Sequence, residues 1–171
     1  FANHYFYDQS YVDFRSKNIL EGTFNNAVKG NGGIIMMKNG ELKIFETMLH
    51  NGISEWGSGG CLFSTSSMLS VSMSSFNNCR AVNGGAVFAS DSRINILRSG
   101  FKNNIGYRDG GAFVLGQRTD TAIEMSEFQQ NKAECPYLNV TSCPDWGDSF
   151  VLKGRTSGIG FDSFCIHPLC K

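Results

Sequence analysis

The chain has 171 residues with 15 Lys+Arg against 15 Asp+Glu, enough length for one domain with a core and no basic excess to neutralise a nucleic-acid backbone. It carries 14 Phe and 20 Gly with only 18% charged residues, which excludes a disordered polar chain, and no apolar run approaches the roughly 20 residues of a membrane span. It opens at Phe1 without a basic and then apolar leader, and reads as a processed chain or a fragment of a longer one.

In chain order, residues 1–17 come first and are dense in aromatics: Phe1, Tyr5, Phe6, Tyr7, Tyr11 and Phe14. They read as a cap over an open end, or alternatively as a degenerate turn of the repeat that follows. That repeat carries two signals. Gly-Gly recurs at 32–33, 59–60, 84–85 and 110–111, with a degraded copy at Gly147-Asp148. A β-branched residue is followed five positions later by Phe or Leu in Ile19/Phe24, Ile44/Leu49, Val71/Phe76, Ile96/Phe101, Ile123/Phe128 and Ile159/Phe164. The second glycine-column position precedes the β-branched one by 11, 11, 11, 12 and 11 residues, so length variation collects between each Phe/Leu and the next Gly-Gly.

Within the repeat, Leu42–Ile44, Leu69–Met73, Ile94–Ile96 and Ile123–Met125 alternate apolar and polar, the signature of half-buried strands. Ala86–Ala89 and Ala112–Leu115 are short apolar runs bounded by Gly and read as further strands. Units of about 25 residues with three short strands cannot bury their own apolar faces alone, but stacked at about 4.8 Å per layer they close a continuous core. The expected fold is all-β: a right-handed, single-stranded parallel β-helix, a pectin-lyase-like solenoid of about six coils adding strands to three sheets. As one domain over 1–171 it divides into the cap (1–17), regular coils (18–130), an insertion (131–146), and a last coil with a Cys-rich end (147–171).

The columns have physical roles in such a stack. Phe24, Leu49, Phe76, Phe101, Phe128 and Phe164 form a core stack. Two residues later, Asn26, Asn51, Asn78, Asn103 and Gln130 are expected to form an amide ladder. The glycines supply a positive φ at a corner, or room for close backbone approach.

The variable interval reads as a loop edge down one side of the rod, where a scaffold positions contact residues. Trp56, Arg108, Asp109, Tyr137 and Trp146 are the candidate interaction residues. Each Trp either folds over its loop as a local core or stands out as a contact. Six cysteines, Cys61, Cys79, Cys135, Cys143, Cys165 and Cys170, permit three disulfides. Cys61 and Cys79 fall in adjacent coils but different columns, so their pairing is open. At the C-terminal end, Cys135–Cys170 with Cys143–Cys165 competes with Cys135–Cys143 and Cys165–Cys170. The sequon at Asn139, inside a Cys-bounded segment, is a glycosylation candidate and points with the cysteines to an extracellular, secreted setting.

Catalytic chemistry is not gathered anywhere. Glycoside hydrolysis needs two facing carboxylates, and the acids here include no adjacent pair. The best cluster is Arg108-Asp109 with Glu134 and Asp145, and surface salt bridging accounts for it. His4, His50 and His167 lie far apart in the stack, Asp145 and Asp148 are too few for Ca²⁺, and Thr is too sparse for an ice-binding face. No catalytic, metal or cofactor residue is assigned.

Gly84-Gly85-Ala86-Val87, Gly110-Gly111-Ala112-Phe113, Phe24-Asn25-Asn26, Phe76-Asn77-Asn78 and Phe101-Lys102-Asn103-Asn104 resemble the GGA[ILV] and FxxN repeats of chlamydial-type polymorphic outer membrane proteins and related microbial and protist surface proteins. The strict FxxN form is met at Phe101/Asn104 and Phe128/Asn131, whereas Phe24 and Phe76 carry Ala27 and Cys79 in the fourth place. The resemblance covers about residues 19–132, and 147–164 in degraded form. It implies a β-helix displayed outside the cell for adhesion, surface architecture or immune variation, touching protein or glycan or assembling with itself. A polysaccharide-binding or polysaccharide-cleaving β-helix and an end-to-end filament subunit are the alternatives.

Overall fold

A computed structural model describes residues 30–134 in full, together with Val12 and the backbone of flanking strands within 4–21 and 150–166. The chain is a parallel β-helix. Its strands are β1 (His4–Phe6), β2 (Tyr11–Phe14), β3 (Ile19–Glu21), β4 (Ile35–Lys38), β5 (Glu41–Phe45), β6 (Met48–His50), β7 (Ile53–Ser58), β8 (Leu62–Thr65), β9 (Met68–Ser72), β10 (Ser75–Asn77) and β11 (Arg80–Asn83). They continue as β12 (Val87–Ser90), β13 (Arg93–Leu97), β14 (Gly100–Lys102), β15 (Ile105–Asp109), β16 (Phe113–Leu115), β17 (Thr119–Glu124), β18 (Glu127–Gln129), β19 (Lys132–Ala133), β20 (Phe150–Leu152), β21 (Thr156–Asp162) and β22 (Cys165–Ile166).

Sheet one runs β1-β4-β8-β12-β16-β20, sheet two β2-β5-β9-β13-β17-β21 and sheet three β3-β6-β10-β14-β18-β22. A fourth sheet, β7-β11-β15-β19, was not expected from the sequence. Its strands occupy the variable interval, read above as loop. Among the described residues, four turns carry a strand in every sheet, rather than about six; β1–β3 and β20–β22 add to sheets one to three at the ends. β1 and β2 lie within the stretch read as a cap, and pair in parallel with β4 and β5.

The core lies inside sheets one to three. Leu49, Phe76, Phe101 and Phe128 are in register and buried. The Phe76 and Phe101 rings stack at 4.9 Å, as do Phe101 and Phe128, and Phe113 of sheet one meets Phe101 edge-on at 4.7 Å. Ile44, Val71, Ile96 and Ile123 form the matching column of sheet two. Beyond the four central turns the five-residue spacing fails. Leu20 pairs with Leu49, and Phe14 with Ile44, whereas the spacing placed Phe24 and Ile19 there. At the other end Ile166 pairs with Phe128 and Phe161 with Ile123, displacing Phe164 and Ile159. Phe24 and Phe164 themselves lie outside the described residues. A register shift within β21 breaks the spacing at that end.

The corners follow one rule. Among the described residues, twelve non-glycine residues and four glycines have positive φ, and these sixteen are four corners in each of four turns. The columns are Asn39/Ser66/Asp91/Arg118, Glu46/Met73/Arg98/Met125, Asn51/Asn78/Asn103/Gln130 and Gly32/Gly59/Gly84/Gly110. Left-handed backbone costs an L-residue about 1–2 kcal/mol. The stack offsets this, because corner amides donate to carbonyls of the next turn, as in Asn39 N to Thr65 O at 3.1 Å and Asn103 N to Gln129 O at 3.0 Å.

At the first three corners the residue after the left-handed one, where it is not Gly, is buried. At the first corner Ser67 and Ser92 are buried, and the Ser92 hydroxyl accepts the Ser67 N–H at 3.2 Å. At the second, Thr47, Ser74, Ser99 and Ser126 form a hydroxyl ladder; each Oγ of the last three accepts the N–H of the turn before at 3.1–3.2 Å. At the third, Asn104 and Asn131 form a buried amide ladder, Asn104 Nδ2 donating to Asn131 Oδ1 at 2.9 Å. The ladder expected at Asn51, Asn78, Asn103 and Gln130 is therefore displaced by one residue. Those side chains sit outside on the left-handed corner, and the fourth place of FxxN points in. Asn26 lies outside the described residues.

Candidate functional site

The fourth sheet is a lobe on the three-sided core, pinched at its neck. Each lobe strand starts at the amide-ladder corner, and β7, β11 and β15 end at a Gly-Gly corner. A Cβ on Gly33, Gly60 or Gly85 would meet the first residue of a lobe strand, Ile53, Arg80 or Ile105 respectively, as well as the carbonyl of the glycine stacked above. The second glycine of each pair is thus needed for close approach, the first for its φ of +58° to +71°. The core cluster draws on sheets one to three and the necks, and not on the lobe strands.

Polar contacts hold the lobe together. Ser54 Oγ donates to Gly30 O at 2.6 Å, Ser58 N to Asn31 Oδ1 at 2.9 Å, and Asn83 Nδ2 to Ser58 Oγ at 3.0 Å. Register runs Ile53–Arg80–Ile105–Lys132 and Ser54–Ala81–Gly106–Ala133, then shifts, so β7 and β15 bulge beyond β11. Such bulges re-aim side chains. Trp56 is on the first bulge and 69% exposed, so it stands out rather than folding back. Arg108 is on the second, two strands away, its guanidinium paired with Asp109 at 3.2 Å. Half-buried Ile53, Val82, Ile105 and Tyr107 lie on the same sheet. The lobe thus holds Trp56, Arg108 and Asp109 in one sheet with apolar residues that sequence spacing did not single out. Their signal was the strand alternation hidden inside a stretch of varying length.

Tyr137, Asn139 and Trp146 lie outside the described residues, as do Cys135, Cys143 and Cys170; Cys165 is described only as backbone in β22. Glu134 pairs with Lys132 at 3.3 Å rather than with Arg108. His50 contacts Asn51 at 3.1 Å, one corner removed from the lobe.

Cys61 and Cys79 are disulfide-bonded with Cα atoms 5.5 Å apart. Both belong to the β8–β11 turn, correcting their placement in adjacent coils: Cys61 directly precedes β8, and Cys79 directly precedes β11.

An open groove of about 680 Å³ follows the first corner across four turns, between sheets one and two. Its charges are arranged as pairs, Arg118 Nε lying 2.6 Å from Asp91 Oδ1, with Arg93 and Asp120 opposite each other in register. Among the described residues no three His, Cys, Asp or Glu gather where they could hold a metal ion. No helix among them is long and apolar enough to cross a membrane.

No family model, no curated protein and no solved structure matches the chain.

Proposed function

We propose that this chain is a non-catalytic structural or adhesive module, presenting the lobe of its fourth sheet to protein or glycan at a cell surface or in a matrix. The carrying observation is Trp56, 69% exposed on a bulge between the paired residues Ser54 and Ser58, in a sheet that also holds half-buried Ile53, Val82, Ile105 and Tyr107. Exposed Trp, Tyr and Arg are enriched at contact surfaces, and a large ring with two side-chain torsions loses little entropy on binding. The likeness of its Gly-Gly-Ala and FxxN motifs to polymorphic outer membrane protein repeats supports the same reading. The buried disulfide and the sequon at Asn139 support an extracellular setting.

The test is binding of the chain and its Trp56→Ala variant to a glycan array and to cultured cell surfaces. We expect Trp56→Ala to lower binding at least about tenfold while β-rich circular dichroism is unchanged. Equal binding by the two proteins overturns the reading.

The groove at the first corner favours a second reading, a polysaccharide-binding or polysaccharide-cleaving β-helix, because it offers carboxylates and guanidinia at the layer repeat. A screen for polysaccharide cleavage with and without Ca²⁺ separates the two. Turnover abolished by Asp91→Ala or Asp120→Ala would favour the enzyme.

A further inference from the structure

The neck of the lobe repeats as a pair of facing positions. One follows the second glycine, at Ile34, Cys61, Ala86 and Ala112. The other is the inward place of the amide-ladder corner, at Gly52, Cys79, Asn104 and Asn131. The partners lie 18, 18, 18 and 19 residues apart, and the disulfide marks them as neighbours in space. The pairs read Ile–Gly, Cys–Cys, Ala–Asn and Ala–Asn, so a large residue on one side faces a small one on the other, or the two are bonded.

In the last two turns the Asn of each pair bonds back to the turn before. Between β11 and β15, Asn104 Oδ1 accepts the Cys79 N–H at 2.9 Å, and Asn104 Nδ2 reaches back to Phe76 O at 3.0 Å. Between β15 and β19, Asn131 Oδ1 accepts the Asn104 N–H at 3.1 Å, and Asn131 Nδ2 donates to Phe101 O at 3.0 Å. At the start of β11 the corner holds no amide, because position 79 is Cys. Instead the disulfide, within the β8–β11 turn, ties Cys61, three residues past the end of β7, to Cys79 at the start of β11. Gly52 cannot carry a side chain into this place, since a Cβ there would lie 2.8 Å from the Cys61 sulfur.

We propose that Cys61–Cys79 is a redox-sensitive lock on the strand that carries Trp56. It stands in for the Ala–Asn pair of the later turns and is interchangeable with it. Reduction breaks the S–S bond and forms two Cys S–H groups. A dithiol such as dithiothreitol supplies the two electrons and two protons and closes its own disulfide. Two thiols provide neither the carboxamide oxygen nor the paired donors that Asn104 and Asn131 provide, so the reduced neck has no side-chain tie at this corner, and β7 stays on β11 only through backbone pairing and the Asn83–Ser58 hydrogen bond. Both cysteines are fully buried, so the reductant reaches them only when the neck opens. The later turns keep their ladder and are unaffected.

Hydrogen exchange read by mass spectrometry tests this on the full chain with and without dithiothreitol. Three proteins are compared: wild type, Cys61→Ala/Cys79→Asn and Cys61→Ser/Cys79→Ser. We expect reduction of wild type to speed exchange in 53–58 by at least about tenfold while 93–97 and 119–124 keep their protection. The Ser pair should show that loss without reductant. The Ala/Asn pair should match oxidised wild type in both conditions, which also separates this bond from any other cysteine the reductant reaches. Unchanged exchange in 53–58 on reduction of wild type, or a loss spread evenly over β13 and β17, overturns the lock. An Ala/Asn pair as exposed as the Ser pair overturns the interchange. The wild-type arm needs no variant to fold.

Discussion

Replacing Asn104 by Ala distinguishes the ladder seen in the structure from the one expected a residue earlier. Asn104 is completely buried. Its Oδ1 accepts from Cys79 N at 2.9 Å, and its Nδ2 donates to Phe76 O at 3.0 Å and Asn131 Oδ1 at 2.9 Å. Alanine removes all three bonds. Asn131 Oδ1 keeps the Asn104 N–H, but Cys79 N–H and the Phe76 carbonyl lose their side-chain partner in a dry interior. At about 1–3 kcal/mol for each stranded group, the cost is about 2–6 kcal/mol, a large share of the stability of an ordinary domain. Asn104→Asp keeps the shape and fares no better, because it aims an acceptor at the Phe76 carbonyl and at Asn131 Oδ1. Asn103→Ala is the control. Asn103 is on the surface with φ +55°, so alanine there loses only the tolerance of Asn for left-handed backbone, about 1 kcal/mol. Asn103→Gly should be neutral or better. Urea unfolding followed by circular dichroism, compared at the midpoint, ranks the four. A loss at Asn103→Ala equal to or larger than that at Asn104→Ala would refute the assignment of the inward ladder.

Two further outcomes follow from local geometry. Gly85→Ala has ordinary φ, yet its Cβ would strike the Gly111 carbonyl and sit 2.5 Å from the Ile105 backbone, so the variant should fail to reach the wild-type fold; Gly100→Ala meets nothing within 4 Å and should gain about 0.4–1 kcal/mol, and thermal melts of the pair check both. Thr121 is buried in a column with Leu42, Leu69 and Ile94, and its hydroxyl has no partner, so Thr121→Val should raise stability by about 1 kcal/mol, and a lower urea midpoint would contradict this.

Much of the architecture was legible because it rests on nearest-neighbour repetition. The 11-residue link between Gly-Gly and the β-branched column is a local chain length, and stacking at constant spacing turns it directly into register. Ile44, Val71, Ile96 and Ile123 are accordingly buried in one column, as are Leu49, Phe76, Phe101 and Phe128. The same logic failed in the end turns, where Leu20 and Ile166 take the expected places of Phe24 and Phe164.

Three features were decided only by the tertiary structure. The first is the direction of side chains at a corner. Residues 103 and 104 are both Asn, and only the left-handed φ of the first sends the second inward. The second is the fourth sheet: β7, β11, β15 and β19 differ in length, and their bulges hide the alternation that pairing across turns restores. The third is the disulfide, because the chain alone left the partners of six cysteines open, and only the closed neck sets the Cys61 and Cys79 Cα atoms 5.5 Å apart. Periodic apolar positions by themselves determine that this chain stacks as a β-helix, since each turn has an apolar face it cannot bury alone. Which polar side chain turns in, which strand swings out as a lobe, and which cysteines meet depend on contacts between turns. Those contacts exist only once the stack has formed.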